Sequence, residues 1–146
     1  MKNIQTPYQT AIYGLLDGSI TIDGSAIAIY DKMSIPTSAD YPHVVISDWT
    51  NVPDNDKDGF NNETTLTMMI YDQVAGAQGS RANIYDIKNQ LMQTLIPDVS
   101  EPDLSVAGFN LVWGRLDNTN SLPKEKTDTH ITFGEMIRFR FWIEQL

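Results

Sequence analysis

At 146 residues the chain fits one domain, residues 1–146, able to bury enough surface to fold without a metal or a disulfide. It has no cysteine, which excludes disulfide frameworks, thiolate zinc sites and cysteine nucleophiles. Ten basic against 19 acidic residues give a net charge of −9, a surface that repels phosphate backbones and argues against general nucleic-acid binding.

That charge keeps the protein soluble, and it also suits a wall past which DNA slides without sticking. No run of about 18 apolar residues is present, so no membrane span is expected. Met1–Pro7 hold no apolar signal core, and a protein made and kept in the cytosol is expected.

Thr6-Pro7 reads as the start of a first helix, threonine as N-cap and proline in the first turn. Tyr8, Ala11, Ile12, Leu15 and Leu16 form its apolar stripe, and Gly18 closes it in a left-handed cap. Residues 20–30 hold two short apolar runs around Asp23-Gly24, a hairpin signal. Residues 31–40 read as an irregular link.

Residues 42–49 and 64–71 read as strands, the second with Leu66, Met68 and Ile70 on one face and Thr65, Thr67 and Tyr71 on the other. Between them, 50–63 reads as a long loop. Five acids from Asp48 to Glu63 stand against the single Lys57, so self-repulsion is expected to keep it mobile until assembly or calcium binding orders it.

A second helix is expected from Ser80 to Leu95, with Ile84, Ile87, Leu91, Met92 and Leu95 as its stripe. A proline-containing segment, 96–108, follows. Residues 109–116 read as a strand with Phe109, Leu111 and Trp113 on one face, and 117–130 as a polar, flexible loop. The last strand alternates most cleanly. Ile131, Phe133, Ile137, Phe139, Phe141 and Ile143 point one way, Thr132, Met136, Arg138, Arg140 and Trp142 the other, with Glu135 alone breaking the apolar side. The expected fold is α+β: an antiparallel sheet of about four to five strands with two main helices packed on one face.

Three local patterns carry chemistry. Asp54, Asp56 and Asp58, followed by Gly59, match the first half of a calcium loop, where carboxylates at alternate positions surround a hard cation. Thr65 stands at position twelve in place of the bidentate glutamate, so an exposed acidic turn competes with a calcium site. Gly76-x-x-Gly79-Ser80 before the second helix resembles an anion cradle without the lysine of a phosphate loop. His43 with Asp48, or His130 with Asp128, are the candidate acid–base pairs, and no nucleophile elbow or zinc motif accompanies them. Arg138, Arg140 and Trp142 share one strand face, the composition of a subunit or partner interface, against pairing within the chain or a solvated face.

Several of these segments together resemble the tail-completion, or tail terminator, proteins of long-tailed bacteriophages. The resemblance rests on the strand Tyr41-Pro42-His43-Val44-Val45-Ile46, the Thr-rich strand ending in Ile70-Tyr71-Asp72, the Ile84, Ile87, Leu91 spacing, and the closing Met136-Ile-Arg-Phe-Arg-Phe141. The first helix, from Tyr8 to Leu16, also fits, so nearly the whole chain is covered.

The resemblance implies a non-enzymatic virion protein, assembled in the bacterial host cytoplasm. It implies a homo-oligomeric ring, most simply a hexamer, that caps the tail tube protein and docks it to the head connector or adaptor protein. DNA would pass through such a ring without sequence-specific binding. The 41–71 and 117–130 segments are longer and more acidic than the family pattern. A neck ring of a short-tailed phage with another subunit number therefore stands as one alternative, and a calcium-binding interaction module as another.

Overall fold

The computed structural model describes residues 1–76, 79–98 and 104–146. Part of the glycine pattern at 76–80 and part of the 96–108 segment lie outside them. Helix α1 spans Gln5–Leu16, followed by strands β1 (Thr21–Ile22), β2 (Ser25–Ala26), β3 (Ala28–Asp31), β4 (His43–Pro53) and β5 (Asn61–Ala75). Helix α2 (Ala82–Leu95) precedes β6 (Phe109–Ser121), β7 (Glu125–Lys126) and β8 (His130–Gln145).

Among the described residues six strands form the main sheet, in the order β3-β4-β5-β8-β6 with β7 also on β8, where the sequence pattern suggested four to five. It is mixed rather than antiparallel: Ala28–Asp31 pair in parallel with His43–Ile46, and the other ladders are antiparallel. A parallel pair needs a crossover, which the irregular 32–42 link supplies. The tight hairpin of 20–30 ends at Ala26, where Asp23 and Gly24 turn with positive φ of 51° and 79°. Only then does the chain join the sheet edge.

The two loops expected to be long are largely strand. Thr50–Pro53 pair with Asn62–Thr65 in the β4–β5 ladder, so the turn is confined to 54–60. Asp117–Ser121 continue β6, and Glu125–Lys126 pair with Ile131–Thr132, leaving short connections. Sequence patterning missed these extensions because their residues are polar on both faces, while the ladder is held by backbone groups that carry no side-chain signature.

Both helices cover one face of the sheet. Tyr8, Ile12 and Leu16 of α1 and Ile84, Ile87, Leu91 and Leu95 of α2 are buried. They join Leu66, Met68, Ile70, Ile137, Phe139, Phe141 and Ile143 in a single core. Burying each such side chain contributes roughly 1.5–3 kcal/mol before chain entropy is counted. The start of α1 differs from expectation: Ile4 precedes the helix, Asn3 Oδ1 accepts from Gln5 N at 2.9 Å, and Thr6 lies inside. Its end follows expectation, with Gly18 at φ 73° beyond Leu16. Helix α2 begins after Arg81, with Ser80 Oγ accepting from Ala82 N at 3.4 Å.

Strand β6 corrects one further expectation. Register shifts between Leu111 and Trp113 and between Leu116 and Asn118 insert an extra residue each. Side chains change face across such a bulge. Leu111 therefore stays over the core opposite Ile143, while Trp113 turns to the open face opposite Trp142.

Candidate functional site

The face of the sheet away from the helices carries Arg138, Arg140 and Trp142, as their alternation with core residues predicts. The ladder sets Arg138 beside Thr67, Arg140 beside Thr65 and Trp142 beside Glu63 on β5. On β6 the same three meet Asn118, Arg115 and Trp113. Directly opposed residues share a face, so one patch draws on three strands.

Arg140 is the centre of this patch. Its guanidinium bridges Glu63 Oε1 at 2.8 Å and Asp117 Oδ1 at 3.2 Å. With side chains a fifth to a third exposed, each bridge contributes at most about 1 kcal/mol, but together they tie β5, β8 and β6 across the open face. Arg138 Nε donates to Thr67 Oγ1 at 3.0 Å. Trp142 stacks on Trp113 with 6.3 Å between ring centroids and 16° between planes. Arg115 lies over Trp113, 4.9 Å from its centroid. The stack accounts for a tryptophan on a solvent-facing row: each ring covers the other, and such pairs add about 0.5–1.5 kcal/mol beyond area burial.

The other end of the same face is covered. Leu122 packs on Gly134, where a Cβ would stand 2.9 Å from Leu122 Cδ1. His43 is surrounded by Tyr30, Tyr41 and Tyr71 at centroid distances of 5.6, 4.8 and 5.7 Å, and its Nδ1 bonds the Asp40 carbonyl at 2.9 Å. Burial, then the charges of Glu125 and Tyr41, raise the Tyr71 phenol above its ordinary range. His130 Nδ1 is 2.7 Å from Thr129 Oγ1. Among the described residues neither histidine bonds a carboxylate, so the sequence pairs with Asp48 and Asp128 are not brought together.

Asp54, Asp56 and Asp58 all sit in the tip between β4 and β5. Asp56 Oδ1 accepts from the N–H of Asp58 and of Gly59, each at 2.8 Å, and Asp54 N donates to the Asn61 carbonyl at 2.9 Å. One oxygen of the central acid is thus committed to closing its own turn. Among the described residues no group of three or more acidic or histidine side chains converges as a metal site.

Sequence reasoning missed Glu63, Asp117, Trp113 and Arg115 as members of the open face. Glu63 and Asp117 read as loop residues, and Trp113 read as core; only the register and the bulges bring them to Arg140 and Trp142. The lone acid on the apolar row, Glu135, was the visible anomaly. It is buried and anchored by Lys88, Arg81 and Ser121.

Among the described residues no helix is long and apolar enough to cross a membrane. No protein-family model and no curated protein matches the chain. Among solved structures it is similar to a chain of the virion of a native gene transfer agent particle. The identity is 19%, the TM-score 0.72, and 99% of each chain is covered. At that identity the likeness is one of fold.

Proposed function

We propose that this chain is a structural virion protein that forms a ring at a head–tail junction, ends the tail tube and docks it to the head connector. The observation that carries the reading is the end-to-end match of fold with a chain of a virion particle. A shared fold alone leaves function open, and two features of this chain support the choice. The open face combines Arg138, Arg140 and Trp142 with Trp113 and Arg115, and tryptophan and arginine are the residue types enriched in protein interfaces. The acidic total charge suits a channel wall for DNA in transit.

The role is one of assembly rather than turnover. His43 Nδ1 bonds the Asp40 carbonyl and His130 Nδ1 the Thr129 hydroxyl, and among the described residues no carboxylate bonds either ring to orient it as a general base. Partners on this reading are further copies of the chain, most simply six in a ring, the tail tube protein and the head connector.

The experiment is mass by light scattering over a concentration series, with electron microscopy of the assembled fraction. Ring-shaped particles with rotational symmetry are expected. Trp142→Ala and Arg138→Glu are expected to weaken assembly or attachment while the monomer keeps its circular dichroism. A chain that stays monomeric at every concentration, alone and with tail tubes, overturns the reading.

A further inference from the structure

The two ends of the main sheet differ in shape and in charge. At one end stands β6, 13 residues long, with no strand on its outer side among the described residues. Long free edges invite pairing, and bulges blunt them. The two bulges of β6 leave a regular stretch, Trp113–Leu116, between them, and Val112 and Leu116 remain 39% and 37% exposed. Arg115 in that stretch is exposed and makes no ion pair among the described residues. The neighbouring Asp117 is paired with Arg140, which it shares with Glu63.

At the other end stands β3, the last strand on that side among the described residues and only four residues long. The turn after it lifts two apolar side chains into solvent: Met33 is 90% exposed and Ile35 42%. That turn is fixed rather than frayed, because Asp31 Oδ1 accepts from Met33 N at 2.9 Å. The grooves flanking β3 are acidic. Asp17 lies beside Ile29 on the α1 side, and Asp23 and Asp40 lie beside Tyr30 on the other. From Asp17 to Asp40 the sequence holds four aspartates and one cation, Lys32.

Like ends repel: two β3 ends would set aspartates against aspartates. Unlike ends match. The apolar Met33 and Ile35 match Val112 and Leu116, and the cation Arg115 matches an end that carries Asp17 on one side of β3 and Asp23 and Asp40 on the other. A contact between two different surfaces, one at each end of every copy, is head-to-tail and closes into a ring when the rotation allows. We infer that the β6 edge of one copy binds the β3 edge of the next, with the Met33–Ile35 turn seated against Val112, Arg115 and Leu116. This rests on the ring reading and names the two surfaces that build it.

The test uses two variants of the full chain. Met33→Asp with Ile35→Ser spoils only the β3 end; Arg115→Glu with Leu116→Ser spoils only the β6 end. Each variant alone is expected to raise the half-assembly concentration at least about tenfold, as loss of an interface anchor does, and to remain near the 16.4 kDa monomer mass. Mixed in equal amounts, they hold one intact surface of each kind between them. The mixture is therefore expected to form dimers that cannot grow.

A mixture that stays monomeric, or a single variant that assembles like the wild type, overturns the inference and leaves the ring reading standing. A wild-type chain that never assembles overturns both. Amide exchange of the wild type gives an independent reading, free of any folding defect in the variants. Trp113–Leu116 and Ala28–Asp31 are expected to slow on assembly, and unchanged exchange at both edges overturns the inference.

Discussion

Glu135 Oε1 lies 3.3 Å from Lys88 Nζ, joining the centre of β8 to α2 across the core boundary. The same carboxylate accepts from Ser121 Oγ at 2.7 Å and sits 3.9 Å from Arg81 Nη1. Arg81 in turn donates to the carbonyls of Gly134 and Leu122 at 2.8 and 2.7 Å and covers the Phe133 ring. One buried acid therefore fixes helix, sheet and the 121–126 arm relative to one another. Glu135→Gln keeps the shape and removes the charge, and is expected to lower stability by about 2 kcal/mol, below the full cost of breaking a buried pair because both cations are partly exposed. Adding Lys88→Met is expected to recover part of the loss. Urea denaturation checks both, and an unchanged midpoint in the single variant refutes the role.

Gly134 has no side chain because Leu122 occupies the space where one would be. Gly134→Ala sets a methyl 2.9 Å from Leu122 Cδ1 and 3.3 Å from Tyr71 Cε1. The expected result is a loss of about 1–3 kcal/mol and faster proteolysis within 122–130 as the arm lifts. Wild-type cleavage rates there would show that Leu122 gives way without consequence.

Arg140 stands between two carboxylates, so reversing its charge acts on the fold as well as on any partner. Arg140→Glu sets three acids together at Glu63 and Asp117 and is expected to destabilise by about 1–2 kcal/mol. Arg138→Glu loses a hydrogen bond to Thr67 and is expected to change stability by less than half as much. Equal thermal midpoints for the two variants count against the bridging role of Arg140.

Alkaline pH weakens the α1 contacts. The Tyr13 phenol is raised to about 12 from 10.0, by burial first and then by the charge of Asp31, whose Oδ2 accepts its hydrogen bond at 3.4 Å. Burial pushes Tyr8 upward as well. A raised pKa means the folded state holds its proton where the unfolded state has lost it. This contribution is full below pH 10 and falls away as the pH rises from 10.0 toward 12. Tyr13→Phe is expected to flatten that part of the stability profile, and an ultraviolet titration with every tyrosine near its ordinary value would refute it.

Asp56→Ala is expected to cost the β4–β5 tip about 1 kcal/mol, because two N–H groups lose their acceptor. Because no three carboxylates converge here among the described residues, millimolar calcium is expected to leave the melting temperature unchanged. A calcium-dependent rise abolished by Asp54→Asn, Asp56→Asn and Asp58→Asn together would restore the cation reading of this loop.

The sequence by itself determined the helices, the core rows and the side of the sheet they share. Period 3.6 in Ile84, Ile87 and Leu91, and period two from Ile131 to Ile143, are direct consequences of which side chains leave water. It also put Arg138, Arg140 and Trp142 on one face, and that held because β8 pairs with β5 in a continuous register without a bulge. Tertiary structure decided what those residues touch. The bulge in β6 that turns Trp113 onto Trp142, the register that brings Glu63 and Asp117 to Arg140, and the parallel pairing of β3 with β4 depend on backbone hydrogen bonds between distant segments. Backbone groups are alike at every residue, so the sequence pattern carries no mark of which ones will meet. Polar strands such as 50–53 and 117–121 read as loops for the same reason: pairing with a neighbour, not hydrophobic alternation, holds them extended.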